Sequence, residues 1–181
     1  MFKSKRGVRN SLILGLLAIA TFVGIGLSAS AQDVPASADV DFAGFMDLGD
    51  EVIELRETRL LSLEAFNDMA DAPNTIILDA RSRSAFEMGH IEGAVNLPFS
   101  DFTDEKLAEV IPNKETRVLI YCNNNFSDDA EPIPLKRVAL ALNIPTFINL
   151  YGYGYENIYE LGVLIETTNE EVNWMIGEIP L

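Results

Sequence analysis

Cys122 is the only cysteine in the chain, and it stands directly after the apolar run Val118-Leu119-Ile120-Tyr121. A thiol just past the end of a buried strand sits where α/β proteins build their sites. As a thiolate it can attack an electrophile or exchange with a disulfide. Asn123, Asn124 and Asn125 follow at once. Asparagine tolerates left-handed backbone, which turns N–H groups inward, and its amide can donate to an anion. The first cations after the thiol are Lys136 and Arg137, 14 and 15 positions on, and they could fold back over it. His90 is the only histidine, so a Cys–His nucleophile pair is open. One His and one Cys fall short of a zinc site's ligand set, so no metal and no other cofactor is expected. Tyr151 and Tyr153, in Tyr151-Gly152-Tyr153-Gly154-Tyr155, offer apolar walls with polar tips beside the same sheet end, or simply pack on the following helix.

Alternating segments position these residues. Thr75-Ile76-Ile77-Leu78 running into Asp79, then Ala94 to Leu97, Arg117 to Tyr121 and Thr146 to Leu150, read as four buried strands. Helical stripes are expected from Ser62, its N-cap, to near Pro73. Others run over Ser82 to Met88, stopped by Gly89, and over Asp104 to Ile111 behind the cap Thr103. A helical face at Leu135, Val138, Ala139 and Leu142 and a helix from Tyr155 to Leu161 complete the alternation. Phe42 to Glu57 predicts a short helix or packed extension, with Trp174 and Met175 as tail anchors. The pattern implies an α/β fold, a doubly wound parallel sheet with helices on both faces.

Residues 1–31 carry a basic start (Lys3, Lys5, Arg6, Arg9), an uncharged stretch from Ser11 to Leu27, and Ala29-Ser30-Ala31. This pattern predicts a signal peptide cut between Ala31 and Gln32, with an uncleaved anchor as the alternative. The expected address is periplasmic or secreted. Four of the 13 basic residues fall in that segment and none of the 28 acids, which leaves nine against 28, a net charge of −19. Such a surface repels nucleic acid and anionic lipid, so neither nucleic acid nor, after cleavage, membrane is an expected partner. A single cysteine in an oxidising compartment has no internal disulfide partner.

The strand into Asp79-Ala80-Arg81, the string Gly89-His90-Ile91-Glu92-Gly93-Ala94-Val95-Asn96-Leu97-Pro98 and the strand ending at Cys122 together resemble the rhodanese family. The resemblance covers residues 61–161, with 32–60 as an N-terminal extension and 162–181 as a tail. It implies a rhodanese-like doubly wound domain whose cysteine carries sulfane sulfur as a persulfide. It also implies structural roles for His90, in the turn before the second strand, and for Asp79 and Arg81 as an ion pair that fixes the loop. The loop itself departs from the family's compact Gly- and Arg-bearing form. From Asn123 to Pro134 it holds neither residue and carries three acids, Asp128, Asp129 and Glu131. A phosphoryl-transfer site needs cationic or N–H clamps, so a phosphatase is not expected, and dianionic thiosulfate is a poor fit as donor.

Two functions remain in view. In the first, Cys122 is a sulfurtransferase nucleophile, Asn123, Asn124 and Asn125 form its cradle, and Arg137 or Lys136 assists. Its partners are a small sulfur donor and a thiol acceptor or a protein. In the second, the domain is a catalytically silent binding module that uses the acidic loop or the Tyr-Gly turn. A periplasmic thiol exchanger is a third, weaker reading.

Overall fold

The computed structural model describes residues 38–128 and 134–177. The expected signal peptide over 1–31 lies outside the described residues. In chain order the elements are α1 (Phe42–Glu57), β1 (Leu60–Leu61), α2 (Leu63–Ala70), β2 (Thr75–Asp79), α3 (Arg83–Met88) and β3 (Gly89–Ile91). They continue with β4 (Ala94–Asn96), α4 (Asp104–Val110), β5 (Arg117–Tyr121), α5 (Asn143–Gly152), β6 (Ile158–Leu161) and β7 (Trp174–Ile176).

Five strands form one sheet in the order β1-β6-β5-β2-β4, and every pairing in it is parallel. The central strand β5 shows how the sheet divides its core. Val118 and Ile120 face one cluster with Val52 of α1, Leu107 of α4 and Phe147 and Leu150 of α5. Leu119 and Tyr121 face the other, with Leu63 and Phe66 of α2. This is the period of two expected of a strand covered on both faces. Helices therefore lie on both faces, as the sequence predicts.

Local chemistry sets several boundaries. Ser62, Ser82 and Thr103 each accept a hydrogen bond from the backbone N–H three residues on, at Ala65, Ala85 and Lys106. This satisfies donors that the first helical turn leaves free. Gly89 ends α3 in extended backbone, and it must be glycine because a Cβ there would meet Trp174 Nε1 at 2.6 Å. The tail is part of the fold. β7 pairs antiparallel with β3, and the Trp174 ring meets Phe126 edge-on at 4.8 Å. Met175, expected as an anchor, is instead exposed.

Between Leu135 and Leu161 three expected elements are replaced. The stretch around Leu135 to Leu142 holds only a short, exposed 3-10 turn at Val138–Leu140. Thr146 to Leu150 is helix, not strand, within α5. Ile158 to Leu161 is strand, not helix. The β-branched residues of Thr146 to Leu150 suggested a strand. However, Asn143, Thr146, Phe147 and Leu150 are buried at helical spacing against the sheet, and this tertiary burial outweighs propensity. Pro145 falls in the first turn of α5, where a missing N–H is harmless. The strand β6 carries a buried acid, Glu160, that broke its apolar pattern.

Candidate thiol site at the carboxyl edge of the sheet

The register Asp79↔Tyr121 and Asp79↔Asn96 brings the ends of β2, β4 and β5 level. Cys122 is the next residue of the chain after β5. Its side chain is buried at 2% exposure, and it opens a 3-10 turn over Asn123–Asn125. The sequence predicts that the three asparagine amides face a ligand. In the structure each is committed to the protein. Asn125 accepts the Cys122 N–H at 2.9 Å and donates to Leu161 O at 2.6 Å and Val163 O at 3.2 Å. Asn124 exchanges two hydrogen bonds with the Lys136 backbone, at 2.7 and 3.2 Å. Asn123 donates to Pro134 O at 3.1 Å and accepts from Arg81 Nη1 at 3.2 Å. The asparagines thus tie the distal limb of the long loop and the exit of β6 to the thiol turn.

The groups that face the sulfur are backbone. Backbone N–H groups of Asn143, Asn124 and Leu142 pull its pKa down, and the first two belong to the start of α5 and to the thiol turn. Together with the positive end of the ten-residue helix α5 they favour an anionic sulfur. Burial works against them and dominates. It pushes the Cys122 thiol above its ordinary value, the Asn143 and Asn124 amides pull it back, and the Glu160 carboxylate raises it further. At neutral pH the resting form is the thiol.

On the β2 side stands a sealed polar cluster. Arg81 Nη2 lies 2.6 Å from Asp79 Oδ2, and Arg81 Nε bonds both Asp79 oxygens at 3.0 and 3.1 Å. The guanidinium also donates to Gly89 O at 2.7 Å, and Tyr121 donates its hydroxyl to Asp79 Oδ2 at 2.6 Å. Burial alone would lower the Arg81 pKa, but Asp79 overrides it and the net direction is up. Burial, then the Asp79 charge, holds the Tyr121 hydroxyl well above its ordinary value. Through Asn123 this ion pair braces the thiol turn. His90 lies apart. Its Nδ1 donates to Phe86 O at 2.8 Å and its ring stacks on Phe86 at 3.8 Å, away from the cavity over Cys122.

Tyr151 and Tyr153 are not beside the thiol, which corrects the expectation that they wall its pocket. They close the far end of α5, whose first residues face Cys122. Tyr153 donates its hydroxyl to Phe102 O at 3.1 Å, and Lys114, just before β5, donates to Tyr153 O at 2.6 Å. The cause is the reassigned segment, because a helix running back across the sheet delivers its end to the edge where β5 begins. Arg137 is exposed and does not line the cavity either.

The cavity of about 420 Å³ over Cys122 reveals residues that the sequence reading missed. Arg56 of α1 forks onto Glu160 of β6, with Nε to Oε2 and Nη2 to Oε1 both at 2.7 Å. Asn143 Nδ2 donates to Glu160 Oε1 at 3.1 Å and to Asn125 Oδ1 at 3.2 Å. A lone acid inside the apolar run Ile158 to Leu161 was the available signal for Glu160. Nothing in the spacing pointed to Arg56, 66 positions before the cysteine. Among the described residues no group of three or more His, Cys, Asp or Glu side chains is placed to hold a metal ion.

Comparison with known proteins adds the lineage. The chain is 32% identical over 83 residues to a tRNA uridine(34) hydroxylase from Photorhabdus laumondii, covering 44% of this chain and 24% of that protein. A tRNA uridine(34) hydroxylase from Yersinia enterocolitica is 33% identical over 70 residues, covering 36% and 20%. The chain thus spans about a quarter or less of the curated relatives it matches. Among solved structures, a thiosulfate sulfurtransferase from Pseudomonas aeruginosa superposes with a TM-score of 0.49 at 21% identity, over 74% of this chain and 23% of that one. The family model for the rhodanese-like domain matches residues 62–161, more than half of the sequence, and the chain belongs to that family.

Proposed function

We propose that the protein is a sulfurtransferase in which Cys122 carries sulfane sulfur as a persulfide. The observation that supports this reading best is a thiol at the carboxyl edge of the sheet, between the Asn123–Asn125 turn and the start of α5, on the floor of an open cavity. The helix start and the backbone N–H groups of the turn favour the thiolate that attacks and the anionic persulfide that results. The Cys122 thiolate attacks the outer sulfur of a donor, the donor's sulfur bond breaks, and the donor leaves with the electron pair. An acceptor thiolate then takes the outer sulfur and restores Cys122. The partners are a small sulfur donor and a thiol acceptor or protein, in a periplasmic or secreted setting. A tRNA substrate is not part of the proposal, because a net charge of −19 beyond residue 31 opposes binding to a phosphate backbone.

The second reading is a silent rhodanese-fold binding module, favoured by the burial that pushes the thiol up. Intact mass after incubation with sulfane sulfur donors separates the two. A gain of about 32 Da on the wild type, absent from Cys122→Ser, is expected of a persulfide carrier. No gain from any donor, with a thiol that still alkylates, would leave the silent module.

A further inference from the structure

Resting on the persulfide reading, we infer that the cavity over Cys122 is built for an apolar organic persulfide rather than a dianion, and that Glu160 sets this preference by occupying the Arg56 guanidinium. Backbone N–H groups near the thiol can hold one developing negative charge, and the second charge of a dianionic donor needs a free cation. Arg56 is the cation lining the cavity, and both nitrogens of its fork are on the Glu160 carboxylate. The second arginine near the turn, Arg81, is spent on Asp79 behind Asn123. The three asparagine amides, as shown above, are spent on the loop. What the cavity offers instead is an apolar mouth. Leu60, Val138, Ile144 and Leu164 line it with exposures of 42%, 85%, 36% and 68%. Exposed apolar side chains gathered around a pocket mark a surface that buries a ligand's own apolar area.

The chemistry fits a donor of the form R–S–SH, at most a monoanion, that reacts through its protonated form. The Cys122 thiolate attacks the outer sulfur, a Cys122 S–S bond forms, the R–S bond to that sulfur breaks, and R–S⁻ departs. The zero-valent sulfur and its proton move together, so no oxidant or reductant is required. Charged groups facing the thiol come from two elements, Glu160 on β6 and Arg56 on α1. On the β2 side Asp79, Arg81 and Tyr121 bond one another.

The test uses the full chain and two donors, benzyl persulfide and thiosulfate, with the rate of sulfur loading on Cys122 followed by intact mass. Wild type is expected to load from benzyl persulfide and at least about tenfold more slowly from thiosulfate. Glu160→Gln releases the Arg56 charge. It should raise the thiosulfate rate about tenfold and move the pH midpoint of loading downward, because the carboxylate no longer opposes the thiolate. The double variant Glu160→Gln with Arg56→Gln should keep the pH shift and lose the thiosulfate gain. Equal wild-type rates from both donors, or a Glu160→Gln variant with neither change, would overturn the inference and leave the persulfide reading intact. Wild-type protein that loads from neither donor would overturn both. The exposed rim gives a test that does not touch the core. Val138→Ser with Leu164→Ser should slow benzyl persulfide loading several-fold and spare thiosulfate, and an unchanged ratio would also overturn the inference.

Discussion

Arg81 and Asp79 meet on the β2 side of Cys122 with 3% and 0% of their side chains exposed, whereas Arg56 and Glu160 meet on the β6 side with 35% and 7%. Both pairs are bidentate, and both touch the thiol turn through an asparagine, Asn123 in one case and Asn143 with Asn125 in the other. Their surroundings separate their uses. The first pair is enclosed by Gly89, Tyr121 and Trp174, so no ligand reaches it. The second opens on the cavity, so its charge balance is felt by whatever enters. The same two residue types serve as a brace where solvent is absent and as an electrostatic setting where a ligand can arrive.

The largest effect should come from the enclosed pair. Asp79→Ala leaves the Arg81 guanidinium buried without its carboxylate and also strips the Tyr121 hydroxyl of its acceptor. A loss of about 3–5 kcal/mol is expected, read as a lower denaturant midpoint at unchanged slope. A loss under about 1 kcal/mol would mean that this cluster is not the brace described here. Next comes Asn125→Ala, which frees the Cys122 N–H and the Leu161 carbonyl together. The expected loss is about 1–3 kcal/mol, and sulfur loading should slow because the turn no longer holds its N–H groups on the sulfur. Arg56→Ala should be milder, at about 1 kcal/mol in the same unfolding measurement, because its solvent-exposed third screens the pair.

The difference between the two pairs also marks what the sequence disclosed. Asp79 and Arg81 are two residues apart at the end of an apolar run, so strand geometry alone places both at the carboxyl edge beside Cys122. The β2, β4 and β5 strands and the caps Ser62, Ser82 and Thr103 were legible for the same reason, since each depends on neighbours in the chain. Arg56 and Glu160 are 104 positions apart, and only the sheet order β1-β6-β5 brings them together. The misread stretch from Leu135 to Leu161 had a related cause. Its β-branched residues favour a strand locally, and only burial of Phe147 and Leu150 against β5 turns them into helix. Because this segment is helix, Tyr151 and Tyr153 end at the opposite end of the sheet from Cys122, and Asn143, the first residue of α5, enters the site.

Alkaline stability distinguishes the two sides with a smaller effect. Tyr121 belongs to the enclosed cluster and Cys122 to the cavity, and burial raises the pKa of both. In each case the folded state holds its proton to higher pH than the unfolded chain does. The stabilisation is therefore complete below the ordinary value, 9.0 for the thiol and 10.0 for the phenol, and is lost as pH rises through the raised value. Between pH 8 and 9.5 only the thiol contributes appreciably, and the expected fall is below about 1 kcal/mol. Cys122→Ser should flatten that part of the profile in a denaturant titration, and Tyr121→Phe should leave it in place. Above pH 10 the phenol's contribution is lost as well, and Tyr121→Phe should then also give a shallower decline than wild type. If Cys122→Ser left the fall between pH 8 and 9.5 unchanged, the thiol would not be the desolvated group beside Glu160 that the cavity geometry describes.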